Sequence, residues 1–159
     1  MLYQTARLGQ RITTLAATAA GPGKQIAGIV EDRTPGMIAA ETGLGALTAA
    51  QLLLSCSRHG RIRSEAAFGM LSGSAPVPVS SGRTDRHRLN RPGGRQLNRA
   101  LQVIAVARMR SGPRTQAYLQ RRLAERKTKR EIRRCIKRYL ARHYFRVLRN
   151  QPGHELPTT

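Results

Sequence analysis

The sequence predicts a mainly α fold: one compact helical domain with a helix-hairpin-helix-like unit, a small β ribbon and no large sheet. Three observations carry this. Apolar residues recur at three- and four-residue spacing through most of the chain. Helix punctuation (Ser, Thr, Gly and Pro at the ends of those runs) recurs between them. Extended character is confined to one segment, Ala75–Leu101, where Pro76 and Pro78 exclude helix. With 159 residues, the chain has room for one modest domain plus appendages. The expected division is a helical connector over 1–33, a main domain over 34–149 and a disordered tail over 150–159.

In order along the chain, Met1 to Ala20 reads as a helix with Leu8, Ile12, Leu15 and Ala19 in register, ended by Gly21-Pro22-Gly23. A second short helix, Lys24 to Arg33, carries Ile26, Ile29 and Val30. The pair is too small for a core of its own and must pack on the domain or on a partner chain. Thr34-Pro35 supplies an N-cap and a first-turn proline for a short helix ending at Thr42-Gly43. Gly43-Leu44-Gly45 then leads into a helix through Leu47, Ala50, Leu53 and Leu54. A helix, a Gly-x-Gly turn and a helix can hold a backbone phosphate on the Gly43 and Gly45 amides. The same pattern equally suits a helical hairpin that packs the domain.

Arg58, Arg61 and Arg63 form a basic loop, and Ser64 caps a helix from Glu65 to Leu71 with Phe68 and Leu71 inward. Pro76–Val79 and Arg88–Arg91 read as the strands of a ribbon around the Ser81 turn, closed by Pro92-Gly93-Gly94. The next helix, Arg95 to Arg110, buries Leu97, Leu101, Ile104 and Ala105. Ser111-Gly112-Pro113 opens another, to about Arg126, with Ala117, Leu119 and Leu123 inward. Thr128 and Glu131 match a capping box. The helix they begin sets Ile132, Cys135, Ile136, Tyr139, Leu140, Tyr144, Val147 and Leu148 on one stripe, with Arg130, Arg133, Arg134, Lys137 and Arg138 largely off it.

Charge limits the function. Lys+Arg is 29 against Asp+Glu 8, a formal +21, which implies a polyanionic partner. The cations are spread over several elements and the apolar faces hold few aromatics, which favours nucleic acid over a membrane surface. Aromatics make up 4% with no Trp, so phosphate contacts, not base stacking, are expected to dominate. Cys56 and Cys135 form no framework, which fits a reducing cytoplasm. No leader pattern and no membrane-spanning run is present in the sequence.

The segment richest in chemistry is APVPVSSGRTDRHRLNRPGGRQLNRAL, Ala75–Leu101. Gly82 leaves the Ser81 hydroxyl uncrowded, and Arg83, Arg86, His87, Arg88 and Arg91 follow within ten residues. A hydroxyl among guanidinium groups suits attack on a phosphodiester, whose transition state spreads negative charge over phosphoryl oxygens. A Ser-Gly turn beside arginines is, however, more commonly a phosphate holder. Arg95 and Arg99 in the first turn of the following helix oppose its dipole, a conflict that a bound anion would relieve. A metal-dependent nuclease would need clustered carboxylates, and the eight acids are scattered. Cys56 and His59 lack a second pair at zinc spacing. His87 is better read as a phosphate donor than as a base, and Asp85 as an arginine's partner.

Four blocks carry a resemblance: GLGALTAAQLLL (Gly43–Leu54), SEAAFGMLSGSAPVPVSSG (Ser64–Gly82), RHRLNRPGGRQLNRAL (Arg86–Leu101) and KTKREIRRCIKRYLARHYFRVL (Lys127–Leu148). In this order the chain, from about Pro35 to Arg149, resembles the C-terminal part of the insertion-sequence transposases of the one-ten, one-sixteen and nine-oh-two type. The resemblance implies DNA transposition by a two-part enzyme. An N-terminal RuvC-like domain supplies a DEDD acidic cluster with Mg²⁺, and the C-terminal part supplies a serine that becomes attached to DNA. It further implies a structured guide RNA and a multimeric assembly. The family's Ser-Gly falls on Ser81-Gly82, with Ser80 the register alternative. The family's basic segment falls on Arg83 and Arg86–Arg91.

The acidic domain has no counterpart here, so no cofactor is expected in this chain and Mg²⁺ only with that domain. The expectation is therefore a truncated fragment that binds DNA and cleaves poorly unaided, with a further copy or a full-length transposase as partner. Two other functions remain open: a non-catalytic DNA- or RNA-binding module, and a basic ribosomal or nucleoid structural protein.

Overall fold

The computed structural model describes residues 2–56, 62, 64–81, 84–89 and 93–150, with the side chains of 2–6 and of the two strands left aside. Among these residues the fold is mainly helical, with seven helices and one strand pair. The helices are α1 (Leu2–Arg33), α2 (Met37–Ala40), α3 (Ala46–Cys56), α4 (Glu65–Leu71), α5 (Arg95–Ser111), α6 (Pro113–Ala124) and α7 (Lys129–Arg149). The strands are β1 (Pro76–Ser81) and β2 (Thr84–Leu89).

The expected break at Gly21-Pro22-Gly23 does not occur: α1 runs unbroken with Pro22 inside it. Proline removes one helical hydrogen bond. Here the site is solvent-exposed, so water can take up the carbonyl that is left over, and a Cβ added to either flanking glycine would meet nothing within 4 Å. Only the end of α1 reaches the core, through buried Val30 and half-buried Ile26 packed on α3. Leu8, Ile12 and Leu15 remain exposed.

Thr34 does not cap the next helix. Its hydroxyl donates back to the Val30 carbonyl at 2.8 Å and its amide does the same, so it closes α1 instead. The chain then turns at Gly36, in the left-handed region, into the single turn of α2. The capping boundaries are as expected further on. Ser64 accepts from the Ala67 amide, and Thr128 and Glu131 form a reciprocal capping box.

The core gathers Val30, Leu52, Phe68, Leu97, Leu101, Ile104, Ile132, Tyr144 and Leu148. α5 packs against α3, α6 and α7, and α7 packs also against α4 and α6. In α3 the buried residues are Ala49, Leu52 and Cys56, whereas Leu47 and Leu54 are exposed. Ala50 and Leu53 are partly buried against the core. ALTAAQLLLSC is apolar on nearly every side, so its own pattern does not choose a face and packing on α1 and α5 does.

On α7 the buried set is Ile132, Ile136, Lys137, Leu140, Ala141, Tyr144, Phe145 and Leu148, so Tyr139 is outside it and Lys137 inside, the reverse of expectation. In α6, Leu119 and Leu123 pack against the core but Ala117 is exposed.

Candidate nucleic-acid interface

β1 and β2 pair antiparallel with Ser81 opposite Thr84, Ser80 opposite Asp85, Val79 opposite Arg86, Pro78 opposite His87 and Val77 opposite Arg88. The strands thus reach closer to the serine turn than the sequence suggests: β1 continues to Ser81 and β2 starts at Thr84 rather than Arg88. By strand alternation, the pairs of Ser81, Val79 and Val77 share one face, and those of Ser80 and Pro78 the other. Ser81 is therefore at the turn end of the ladder, on the face that carries positions 86 and 88. Gly82, Arg83 and Arg91 lie outside the described residues, as do the side chains of Ser80, Ser81, Arg86, His87 and Arg88.

The ladder is anchored to the helices at its open end. The Gly94 amide donates to the Leu71 carbonyl at 2.6 Å. A Cβ on Gly93 would approach the Gly73 backbone to 2.7 Å, so only glycine permits this crossing. α5 starts at once from there, with Arg95 and Arg99 exposed in its first turn and no acidic residue among them.

α7 meets that turn. Lys137 Nζ donates to Asn98 Oδ1 at 2.5 Å, which brings the first turn of α5 against the basic side of α7. Burial, with Arg133 and Arg134 adding repulsion, holds the Lys137 ammonium below its ordinary pKa. Unlike its arginine neighbours, Lys137 is buried in the seam and bonded to Asn98. Arg130, Arg134 and Arg138 are exposed and Arg133 half-buried. Among the described residues, the ion pairs use Arg108, Arg122, Arg142, His143 and Arg146 and none of these four. Arg95, Arg99, Arg130, Arg133, Arg134 and Arg138 thus add cationic charge to α5 and α7 without a direct ion pair among the described residues, although Glu131 lies close enough to Arg134 to feel its charge.

The Gly43–Gly45 turn has a different character. Gly43 sits at φ +80°, and a Cβ there would come within 2.9 Å of the Ala107 Cβ, so its glycine serves close packing on α5. The Gly45 amide donates to the Thr48 hydroxyl at 3.0 Å. In the structure, then, these glycines serve packing and capping.

A latch beside that turn had no counterpart in the sequence reading. The Arg108 guanidinium pairs with Glu41, donates to the Thr42 carbonyl at 2.8 Å and to the Tyr144 hydroxyl at 3.0 Å. His143 meets the other oxygen of Glu41 at 2.6 Å. Burial pushes the Tyr144 phenol up to about 12 despite the Arg108 charge, and burial likewise pushes the Cys56 thiol up to about 12. No local motif signals this latch, because Glu41 and His143 are 102 residues apart.

Five of the described carboxylates have partners within the chain. Glu41 and Glu65 are held in arginine pairs, Glu125 pairs with Arg122, Glu131 serves its cap and Glu31 accepts from the Gly36 amide. Among the described residues, no three His, Cys, Asp or Glu gather as metal ligands. No described helix is long and apolar enough to cross a membrane.

A mainly helical domain that presents exposed arginines on α5 and α7 suits a polyanionic partner. The family described as Transposase IS116/IS110/IS902 family matches residues 37–120, more than half of the sequence, and the chain belongs to that family. The match runs from α2 through the ladder and into α6. No curated protein matches the chain.

Proposed function

We propose that this chain is a DNA-binding, serine-bearing part of a transposase that acts on phosphodiester bonds. The observation that carries the reading is that the family match spans the Ser81 ladder and the arginine-bearing first turn of α5 that follows it. In this reading the Ser81 oxygen bonds to phosphorus, the phosphodiester link to the leaving strand breaks, and the hydroxyl proton passes to a base. Ser80 is the alternative nucleophile, with Asp85 as its ladder partner. Arg83, Arg86, Arg88 and Arg91 stabilise the phosphoryl charge, and the arginines of α5 and α7 hold the DNA backbone.

In this reading the chain alone binds DNA and cleaves it poorly or not at all, because a serine needs a base or metal to activate it and the acidic half supplies that. The acidic half, its Mg²⁺, a structured guide RNA and further copies of the chain are the proposed partners. The division into a connector (1–33), a main domain (34–149) and a tail (150–159) belongs to the same proposal. The exposed Leu8, Ile12 and Leu15 of α1 favour an assembly through that helix.

The test mixes the purified chain, DNA and a separately supplied RuvC-like acidic domain, and looks for a protein–DNA adduct on a denaturing gel. The adduct is expected to vanish in Ser81→Ala and to persist in Ser80→Ala. If Ser81→Ala forms it as well as the unmodified chain, the catalytic reading fails and a non-catalytic nucleic-acid-binding module stands in its place.

A further inference from the structure

Tyr118 of α6 and Tyr139 of α7 meet edge to face, with ring centroids 6.0 Å apart and planes at 85°. Their setting differs from that of the other described aromatics. Phe68, Phe145 and Tyr144 are all buried in the core, whereas Tyr139 is left 58% exposed. Leaving a ring in water forgoes the stabilisation that burial provides. The ring nevertheless has a neighbour that helps to hold it, because it packs against Tyr118 in this T-shaped pair. Tyr118 in turn carries the Arg121 and Arg122 guanidinium groups, 5.5 and 5.9 Å from its ring centroid. Arg122 is itself fixed, by Glu125 at 2.5 Å, and its Nε is buried with no hydrogen-bond partner among the described residues. Arg138, next to Tyr139, is exposed and makes no ion pair among the described residues.

An aromatic ring more than half exposed to water with guanidinium groups nearby matches the chemistry of an unpaired nucleotide: a flat base to stack and a phosphate to neutralise. A duplex does not suit it, since its bases are already stacked on one another and present only their edges in the grooves. We infer that Tyr139, braced by Tyr118, stacks an unpaired nucleobase of a single-stranded DNA or RNA segment, while Arg121 and Arg138 take its flanking phosphates. The inference rests on the reading of the chain as a nucleic-acid binder, and it is independent of Ser81. The sequence alone pointed away from it, because so few aromatics suggest no stacking platform.

The test uses the full chain and fluorescence anisotropy at fixed salt. The probes are labelled strands of about 12 nucleotides as single-stranded DNA, as single-stranded RNA of the same sequence, as an abasic strand and as duplex DNA. Tyr139→Ala is expected to weaken binding of at least one of the base-bearing single strands by about 5- to 150-fold, the range that one stacked base corresponds to. The strand that loses more identifies the source of the base. Tyr139→Phe is expected to retain the affinity, and the abasic strand to bind the unmodified chain about as weakly as the base-bearing strand binds the alanine variant. Duplex affinity is expected to change by less than about twofold, because backbone contacts remain. Equal loss on duplex and single strands, or no loss on any, overturns the inference while duplex binding by the unmodified chain upholds the broader reading. Failure of every probe to bind the unmodified chain sinks both.

Discussion

Lys137 and Tyr144 lie about two turns apart on one face of α7 and load the fold in opposite ways with pH. Lys137 is a buried ammonium whose partner is a neutral amide. Its folded-state pKa lies below its ordinary value, so the folded chain sheds that proton first. Its destabilising effect is therefore present at neutral pH and fades as pH rises toward the ordinary lysine range. Lys137→Met is expected to raise stability at pH 7 by about 1 kcal/mol in denaturant melts, with duplex affinity unchanged. A roughly tenfold loss of affinity would place Lys137 among the phosphate contacts.

Tyr144 has the opposite sign. Its phenol is raised to about 12, so its contribution is whole below about pH 10 and is lost as pH climbs through about 12. Cys56 adds a loss of the same sign, beginning near its ordinary pKa of 9.0. Tyr144→Phe is expected to cost about 1 kcal/mol at pH 8, where the Arg108 bond is lost, and to flatten the fall in stability between pH 10 and 12. Melts at pH 8 and 11 check both halves. The sequence misassigned the two edge positions of α7 for a plain reason. Residue type drew the apolar stripe out to Tyr139, although the positions in register with Leu140, Tyr144 and Leu148 include Lys137 and Ala141.

At the scale of elements, local chemistry was legible and long-range choice was not. The Ser64 and Thr128 caps lie within three residues of the amides they serve, so a short sequence window contains all their physics. The end of α6 holds a further local feature. The Lys127 amide bonds to the Arg122 carbonyl and the Arg126 amide to the Leu123 carbonyl, a Schellman closure that places Arg126 at φ 60°. An L-residue there costs about 1 kcal/mol relative to glycine. Arg126→Gly is accordingly expected to raise the thermal midpoint by a few degrees, measured by circular dichroism. The unbroken α1 was not legible, since Gly-Pro-Gly reads as a stop and only an exposed setting lets a helix pass through it. Pro22→Ala is expected to increase helicity at 222 nm and to slow amide exchange around Thr18, as a proline inside a helix costs about 3 kcal/mol.

For the whole molecule the dominant quantity is a formal charge of +21, and it was readable without any structure. So were the ordered blocks that carry the family resemblance. The surface on which the charge gathers was not readable, because the seam of Asn98 and Lys137 joins helices 39 residues apart. Replacing Arg130, Arg134 and Arg138 together by Gln is expected to reduce the slope of log affinity against log salt on duplex DNA by about 2 to 3, at roughly 0.9 for each phosphate that the variant leaves unneutralised. A salt titration of the triple variant reads this directly, and an unchanged slope would move the DNA off α7. The exposed Tyr139 was unreadable for a similar reason: its brace, Tyr118, comes from another helix.

The Arg108 latch has a practical bearing on how this protein can be dissected. One guanidinium fastens the chain at Glu41 and Thr42 to Tyr144, and Tyr144 lies beyond the stretch that defines the family, which stops at residue 120. A clone trimmed to the family boundaries would leave Arg108 and Glu41 without the buried ring they close upon, and would strip α5 of the helix that covers it. The smallest piece able to stand alone is therefore longer than its pedigree suggests, and any expression boundary belongs after Leu148.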